Sequence, residues 1–453
     1  MNLHALLSAR AASGKPVRVG VIGCGKFGTM FLAQALRIPG LHIVGIADIA
    51  PGRAAEQLAR CDWDEAQYGA RSMGEAMDKG TTHLTDDAMT IIAHPSIEVI
   101  AECTGNPIAA TSHALASFKH GKHVVMVTVE TDAFVGPLLA QKAKEAGVIY
   151  SLAYGDQPAL ICDLVDWART CGFAVVAAGR GHKWLTRYYK TTPDTIWNDW
   201  GISEADAKEG GLNPRMFTCF LDGSKPAIET AAVANATGLE APSQGLAFPP
   251  CAIHDLPHIM RPTSEGGILE RKGLVECVSS IERDGRPIPH HIRFGVWVVV
   301  EAGNDYVKRC FKEYSMKTDS SGRYGMLYKE WHLIGLELGV SIAAAAVRGE
   351  ATGCPITWNA DAVASAKRDL KPGELLDGVG GYTGAGRLMP AAESVARGVV
   401  PIGLAQKIKV VRPMKEGQIV TWADVAADET VEAYKVRREM ERLYAPKLAK
   451  AAE

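Results

Sequence analysis

A chain of 453 residues, 47% of them apolar and 22% charged, is too long for one ordinary core and reads as a globular protein of two or three domains. Its net charge of −2 gives no electrostatic footprint for nucleic acid or an acidic membrane surface, so partners of those kinds are not expected. Ten cysteines, scattered singly, argue against a disulfide framework or a structural zinc site and point to reduced thiols in the cytoplasm.

The opening residues lack a signal peptide's apolar core and read as a short helix, and no apolar run reaches membrane length. Val17–Ile22 is a β-branched run followed at once by Gly23, Gly25 and Gly28 in G-x-G-x-x-G spacing. Residues 27–38 read as a helix, and a second apolar run ends in Asp48, twenty positions past Gly28. Strand, glycine turn, helix, strand and acid together make a dinucleotide fingerprint. Gly23 allows the sharp turn, Gly25 admits a pyrophosphate close to the backbone, and Gly28 lets helix and strand pack tightly, while Lys26 and Phe27 open the helix whose N–H groups face the phosphates.

Residues 50–80 form a polar, irregular insertion with a helix from Arg53. A strand over 99–103 closes in Thr104-Gly105-Asn106-Pro107, either a ligand-binding turn at a parallel strand's carboxyl end or a plain loop. Two further helix–strand pairs, ending near Thr128 and at Gly155-Asp156, complete the alternation of a doubly wound α/β sheet. Beyond Gln157 the pattern becomes α+β. There is a helix, a strand at AVVAAGRG, long polar loops, a helix at KPAIETAAVANATG, and strands at VECVSSIE and IRFGVWVVVE. LYKEWHLIGLELGVSIAAAAV reads as one long helix. After Arg348 two similar pieces, LKPGELL and MKEGQIVTWADV, suggest a small glycine-rich β module, followed by a charged amphipathic helix that serves as a cap or a subunit contact. The domains expected are 1–155, 156–348 and 349–453.

With these motifs in place, the first 350 or so residues resemble the homoserine dehydrogenase-like superfamily, and the final segment resembles the SAF module. GDQPALICDLVDWARTCGF, GRGHKW, DGSKPAIETAAVANATGL and YKEWHLIGLELGVSIAAAA resemble most the reductoisomerase-like group called DRL. That resemblance implies NADPH-dependent conversion of 1-deoxy-D-xylulose 5-phosphate, on the route to isoprenoid precursors, in a homo-oligomer. By analogy it also implies a divalent cation such as Mg or Mn, whose ligands the sequence leaves unknown. One departure is plain. Where homoserine dehydrogenases carry T-A-N-K-A, this chain has Thr128, Val129, Glu130, Thr131 and Asp132, so the lysine that serves the carbonyl there is missing.

Hydride transfer to a carbonyl needs a group that polarises or protonates the oxygen. Lys225 lies where the superfamily places a lysine near its substrate, with Asp222 before it and Glu229 one helical turn on. The three form either a proton-handling group or an exposed i, i+4 pair behind a capping aspartate. Arg180, His182, Lys183, Arg187 and Lys190 follow a strand end and either gather around a substrate phosphate or belong to a solvated basic loop. Asp156 is placed to position a carbonyl or a metal, and His332 reads as a satisfied core histidine near Glu337. The cofactor residues expected are Gly23, Gly25, Lys26, Phe27, Gly28, Asp48, Arg53, Thr104 and Gly105. Asp48 favours NAD, whereas Arg53 and the resemblance favour NADP, which is the expectation. A simple NAD(P)-dependent dehydrogenase of a sugar acid or homoserine-like hydroxy acid, and a non-catalytic nucleotide-binding scaffold, are the competing functions.

Overall fold

The computed structural model describes residues 2–452. The chain divides into two compact units, Met1–Leu160 with Leu333–Pro355, and Ile161–His332 with Ile356–Glu453.

The first unit is organised on a six-stranded sheet ordered β3-β2-β1-β4-β5-β6. Its strands are β1 (Val17–Ile22), β2 (Leu41–Ala47), β3 (His83–Thr85), β4 (Val99–Glu102), β5 (His123–Met126) and β6 (Tyr150–Leu152). Every pairing is parallel, as expected for a doubly wound sheet. The central strands are apolar on both faces for that reason. Val19, Val21, Val99 and Ala101 join Phe31 and Leu32, from the helix Lys26–Ala35, in one buried core.

The structure departs from expectation at two places. The stretch expected to be an irregular insertion holds three helices, Pro51–Arg60, Glu65–Tyr68 and Met73–Lys79, and leads into β3. Local caps account for the two shorter ones: Asp64 forms a capping box with Gln67, and the Ser72 hydroxyl accepts the Glu75 N–H. The long helix expected over 327–347 is also absent. Tyr324–Lys329 is a strand, β10, and only Gly339–Ala343 is α-helical, running into a wide turn at Ala344–Arg348. Gly335 lies between them at φ +73°, and a Cβ there would meet the Phe27 carbonyl oxygen at 2.5 Å. That close approach lets Leu338, Ile342 and Ala343 enter the core of the first unit.

The second unit holds a four-stranded sheet ordered β10-β9-β7-β8, with β7 (Ala174–His182) parallel to β8 (Leu274–Ser279) and antiparallel to β9 (Val296–Glu301). The strands β11 (Ala360–Ala366) and β13 (Gly384–Pro390) form an antiparallel pair, and β12 (Leu375–Asp377), β14 (Gln406–Val410) and β15 (Val425–Ala426) form a second small sheet. The C-terminal region is thus β-rich, as its turn pattern indicated. The helix Ser224–Thr237 packs on both β8 and the β11–β13 pair, and it is buried nearly all round. Near its C-terminal end the Asn235 carboxamide donates to the Ala360 carbonyl at 3.1 Å and accepts the N–H groups of Asn359 and Ala360.

The tail helix, Glu432–Ala452, is docked on its own module. Arg437 is fully buried, pairs with the equally buried Asp361, and lies 4.8 Å from the centre of the Trp358 ring. Removing one partner of such a pair strands the other's charge. Arg437→Ala is therefore expected to lower unfolding stability by about 3–5 kcal/mol in urea denaturation. A loss below about 1 kcal/mol, the range of exposed pairs, would contradict that role.

Candidate functional site

In the first unit the glycine turn has the geometry its spacing implied. Gly23 has φ +96°, and a Cβ on it would strike the Cys103 carbonyl group at 2.7 Å; one on Gly28 would strike the Gly23 oxygen at 2.3 Å. Gly25 opens on free space and starts the helix Lys26–Ala35 with no side chain capping its N–H groups. Asp48 is buried beneath the turn, where its carboxylate accepts the Cys24 N–H at 2.8 Å and the Ala50 N–H at 2.9 Å. Arg53, whose side chain is 59% exposed, approaches the same carboxylate at 3.4 Å. An open backbone cradle with an acid beneath it fits a dinucleotide.

Beside it the buried Glu102 accepts hydrogen bonds from Thr104 (2.7 Å) and Thr128 (2.5 Å) and contacts His113 (3.1 Å). The Thr128 hydroxyl in turn accepts the Gly105 N–H, so a buried carboxylate fixes the Thr104-Gly105 turn. Sequence reasoning missed Glu102; an acid ending an otherwise apolar parallel strand was its one signal. At the place of the missing lysine, Thr131 is buried and donates to the Pro107 carbonyl, and burial pushes the neighbouring Asp132 carboxyl up to about 7. Asp156 accepts the Gln157 N–H at 2.9 Å, just before the helix Gln157–Thr170.

The second unit brings Lys225, Glu229 and Arg180 together. Lys225 Nζ is 4.0 Å from Glu229 Oε1, and Arg180 forms an ion pair with Glu229 Oε2. Lys225 is 17% exposed and Glu229 only 4%, so this is no solvated surface pair. Asp222 does not join them. One of its oxygens accepts the Ser224 N–H at 2.9 Å, and the other meets Lys367, from the end of β11, at 2.7 Å. Lys367 also donates to the carbonyls of Thr191 and Gly381 and is as buried as its partner. No sequence signal pointed to Lys367. The glycines flanking Ala385 within β13 were a signal of close approach: the Gly386 N–H donates to the Ser224 hydroxyl at 2.8 Å, and a Cβ on Gly386 would meet Ser224 Cα at 2.8 Å.

The basic residues expected to surround a phosphate each face protein groups, and Lys183 and Arg187 share the Tyr188 ring. Arg180 is held by Glu229. His182 is kept neutral, far below the usual histidine range, by burial and then by the nearby Arg180 and Arg293 charges. Lys183 donates to the carbonyls of Asp199 and Trp200, Arg187 faces the Asp199 carboxylate at 3.4 Å, and Lys190 pairs with Glu416. The His332 ring hydrogen-bonds the Phe294 carbonyl, and Glu337 accepts the Leu333 N–H; both lie outside any helix. No group of three His, Cys, Asp or Glu side chains is disposed to hold a metal among the described residues. Asp222, just before the Lys225 helix, and Glu229, on it, already face cations. The residues present do not fit the divalent ion, and no step is routed through one.

Residues 17–153 match the family described as oxidoreductase family, NAD-binding Rossmann fold, and residues 155–338 match oxidoreductase DRL, catalytic domain. Residues 17–338 thus carry the domains of an NAD(P)-dependent oxidoreductase. A homoserine dehydrogenase of Pseudomonas aeruginosa is 31% identical to this oxidoreductase over 138 residues, which cover 30% of this chain and 28% of that protein. The oxidoreductase yvaA from Bacillus subtilis is 14% identical with a TM-score of 0.36, covering 75% of this chain and 91% of that one. Scyllo-inositol dehydrogenase from Lactobacillus casei is 12% identical with a TM-score of 0.34, covering 70% and 76%. No helix among the described residues is long and apolar enough to cross a membrane.

Another buried acid shapes this region of the oxidoreductase. Glu276 on β8 accepts N–H groups from Ala247, Phe248 and Cys277, yet burial pushes its carboxyl up to about 7, above the ordinary 4.5. With the folded value raised, the folded state binds the extra proton. The stability this confers is full below about 4.5 and is lost as pH rises through about 7. Glu276→Gln, which keeps an acceptor and cannot ionise, is expected to gain on the order of 3 kcal/mol relative to the parent between pH 4.5 and pH 8 in denaturant titrations. Parallel pH profiles for the two would contradict this.

Proposed function

We propose that the protein uses NADPH to reduce a small, sugar-derived carbonyl substrate, with Lys225 as the cation at the reacting oxygen. The observation that carries this reading is the Lys225–Glu229–Arg180 group, a lysine left partly accessible beside a buried carboxylate that is itself balanced by a buried arginine. Nicotinamide supplies the hydride when bound. Lys225 donates a hydrogen bond to the carbonyl oxygen as negative charge develops there, then yields the proton that completes the alcohol. Glu229, held by Arg180, orients the ammonium group and favours its return to the charged form. Gly25 and the helix start take the pyrophosphate, and Arg53 faces the ribose phosphate that distinguishes NADP, screening Asp48 beneath it.

Within this class, the match to the DRL catalytic domain supports 1-deoxy-D-xylulose 5-phosphate as substrate, with reduction coupled to rearrangement. Simple reversible oxidation of a sugar acid is the second reading. It is favoured by the engagement of Lys183, Arg187 and Lys190 with protein partners and by acids already paired with cations. NADPH consumption with deoxyxylulose phosphate, with and without Mg or Mn and the inhibitor fosmidomycin, separates the two from NADP reduction with C4–C6 sugar acids. Turnover with neither class would overturn the proposal. In the active assay Lys225→Ala is expected to lower kcat about a hundredfold to a thousandfold with NADPH affinity nearly unchanged. An undiminished kcat would remove Lys225 from the reaction.

A further inference from the structure

A cavity of about 90 Å³ lies in the second unit, beside the start of the Lys225 helix, lined by Trp184, Tyr189, Asp222, Phe248 and Arg387 among others. Its walls come from the segment after β7, from the loop before β8 and from β13. Three observations set it apart from a packing defect.

The first is charge. Three cations around the Lys225 helix face a carboxylate or a carbonyl group: Arg180 meets Glu229, Lys367 meets Asp222, and Lys183 meets two carbonyls. Arg387, whose side chain is exposed at the mouth of the cavity, meets no carboxylate or carbonyl among the described residues. Its guanidinium carbon lies over the Tyr189 ring, 4.1 Å from the ring centre, and the Tyr189 hydroxyl is tied back to Ser365 at 2.6 Å. A guanidinium placed over an anchored aromatic ring, with no acid beside it, has N–H groups available for a planar, bidentate anion. Asp222 also lines the cavity, but Lys367 balances its charge, so the pocket as a whole attracts an anion.

The second is the aromatic wall. The rings of Trp184 and Phe248 stack at 4.3 Å and 18° and give the cavity an apolar wall. The third is strain. Phe248 is one of few non-glycine residues at positive φ, +48°, and the buried Glu276 holds it there by accepting its N–H and that of Ala247. Left-handed backbone at a bulky residue persists only when surrounding structure enforces it, and such strain clusters at ligand sites. Gly223, at φ +88°, keeps the opposite wall clear: a Cβ there would lie 3.4 Å from the Trp184 ring.

We propose that this cavity binds the charged end of a small polyhydroxylated anion, with Arg387 taking the carboxylate or phosphate and Trp184 covering the carbon chain. The inference rests on the reading of Lys225 as the reacting cation, because it makes the bound anion the substrate. It also moves the anion site away from the basic cluster that follows β7.

The test uses the full chain with NADP bound and three five-carbon probes: 1-deoxy-D-xylulose 5-phosphate, D-xylonate and uncharged xylitol, titrated by calorimetry. At least one charged probe is expected to bind about tenfold or more tighter than xylitol, and the one that does tells a phosphate from a carboxylate ligand. Arg387→Met is expected to remove that preference while NADP affinity stays unchanged, and Arg387→Lys to restore part of it. Trp184→Leu should weaken both charged and uncharged probes. Equal binding of xylitol and the charged probes, no binding of either charged probe, or an Arg387→Met protein that binds as the parent does would each overturn the proposal. Lys225→Ala should still bind the anion. If Lys225→Ala also keeps turnover while Arg387→Met loses binding, the role given to Lys225 fails and the anion pocket stands.

Discussion

The second unit depends on a lysine and an aspartate brought together out of water. Asp222 and Lys367 lie 145 residues apart in sequence, and their side chains are 0% and 2% exposed. A charge buried to that degree is tolerated only when its partner and its remaining hydrogen bonds are supplied, and here they are: Ser224 donates its N–H to the acid, and two carbonyls accept from the lysine. The pair fixes the start of the Lys225 helix against the C-terminal β module, and the Ser224–Gly386 and Asn235–Ala360 hydrogen bonds repeat the attachment along its length. The module is thus a wall of the region that carries Lys225.

That attachment explains why the cluster just before the helix and the cluster on it have different roles. Asp222 faces Lys367 and sets position; Glu229, two turns further, faces Arg180 and leaves Lys225 beside it. It also explains the cavity under Arg387. The same strand, β13, supplies Gly386, which must approach the helix backbone, and Arg387, which faces the other way over Tyr189.

Much of the first unit was legible in the chain because its physics is local. Glycine spacing, β-branched runs and the acid at Asp48 each act within a few residues, and the parallel sheet follows from their alternation. The failures have a common cause. YGMLYK became an edge strand because β9 offered it an antiparallel partner, although its neighbours resemble a helix. The pairing of Lys225 with Glu229 followed from helical periodicity, but the partners of Arg180 and Asp222 are set by tertiary packing that no spacing encodes. The basic run after β7 looked like a phosphate cradle since sequence shows charges without the carbonyls and acids that engage them.

Lys367 holds the helix that carries Lys225. Hydrogen exchange measured by mass spectrometry on the full chain, comparing Lys367→Met with the parent, tests it directly. Faster exchange across residues 222–237 and 381–390, with the strand–turn–helix of residues 17–48 unchanged, is the predicted result. Unaltered exchange across 222–237 would contradict the account.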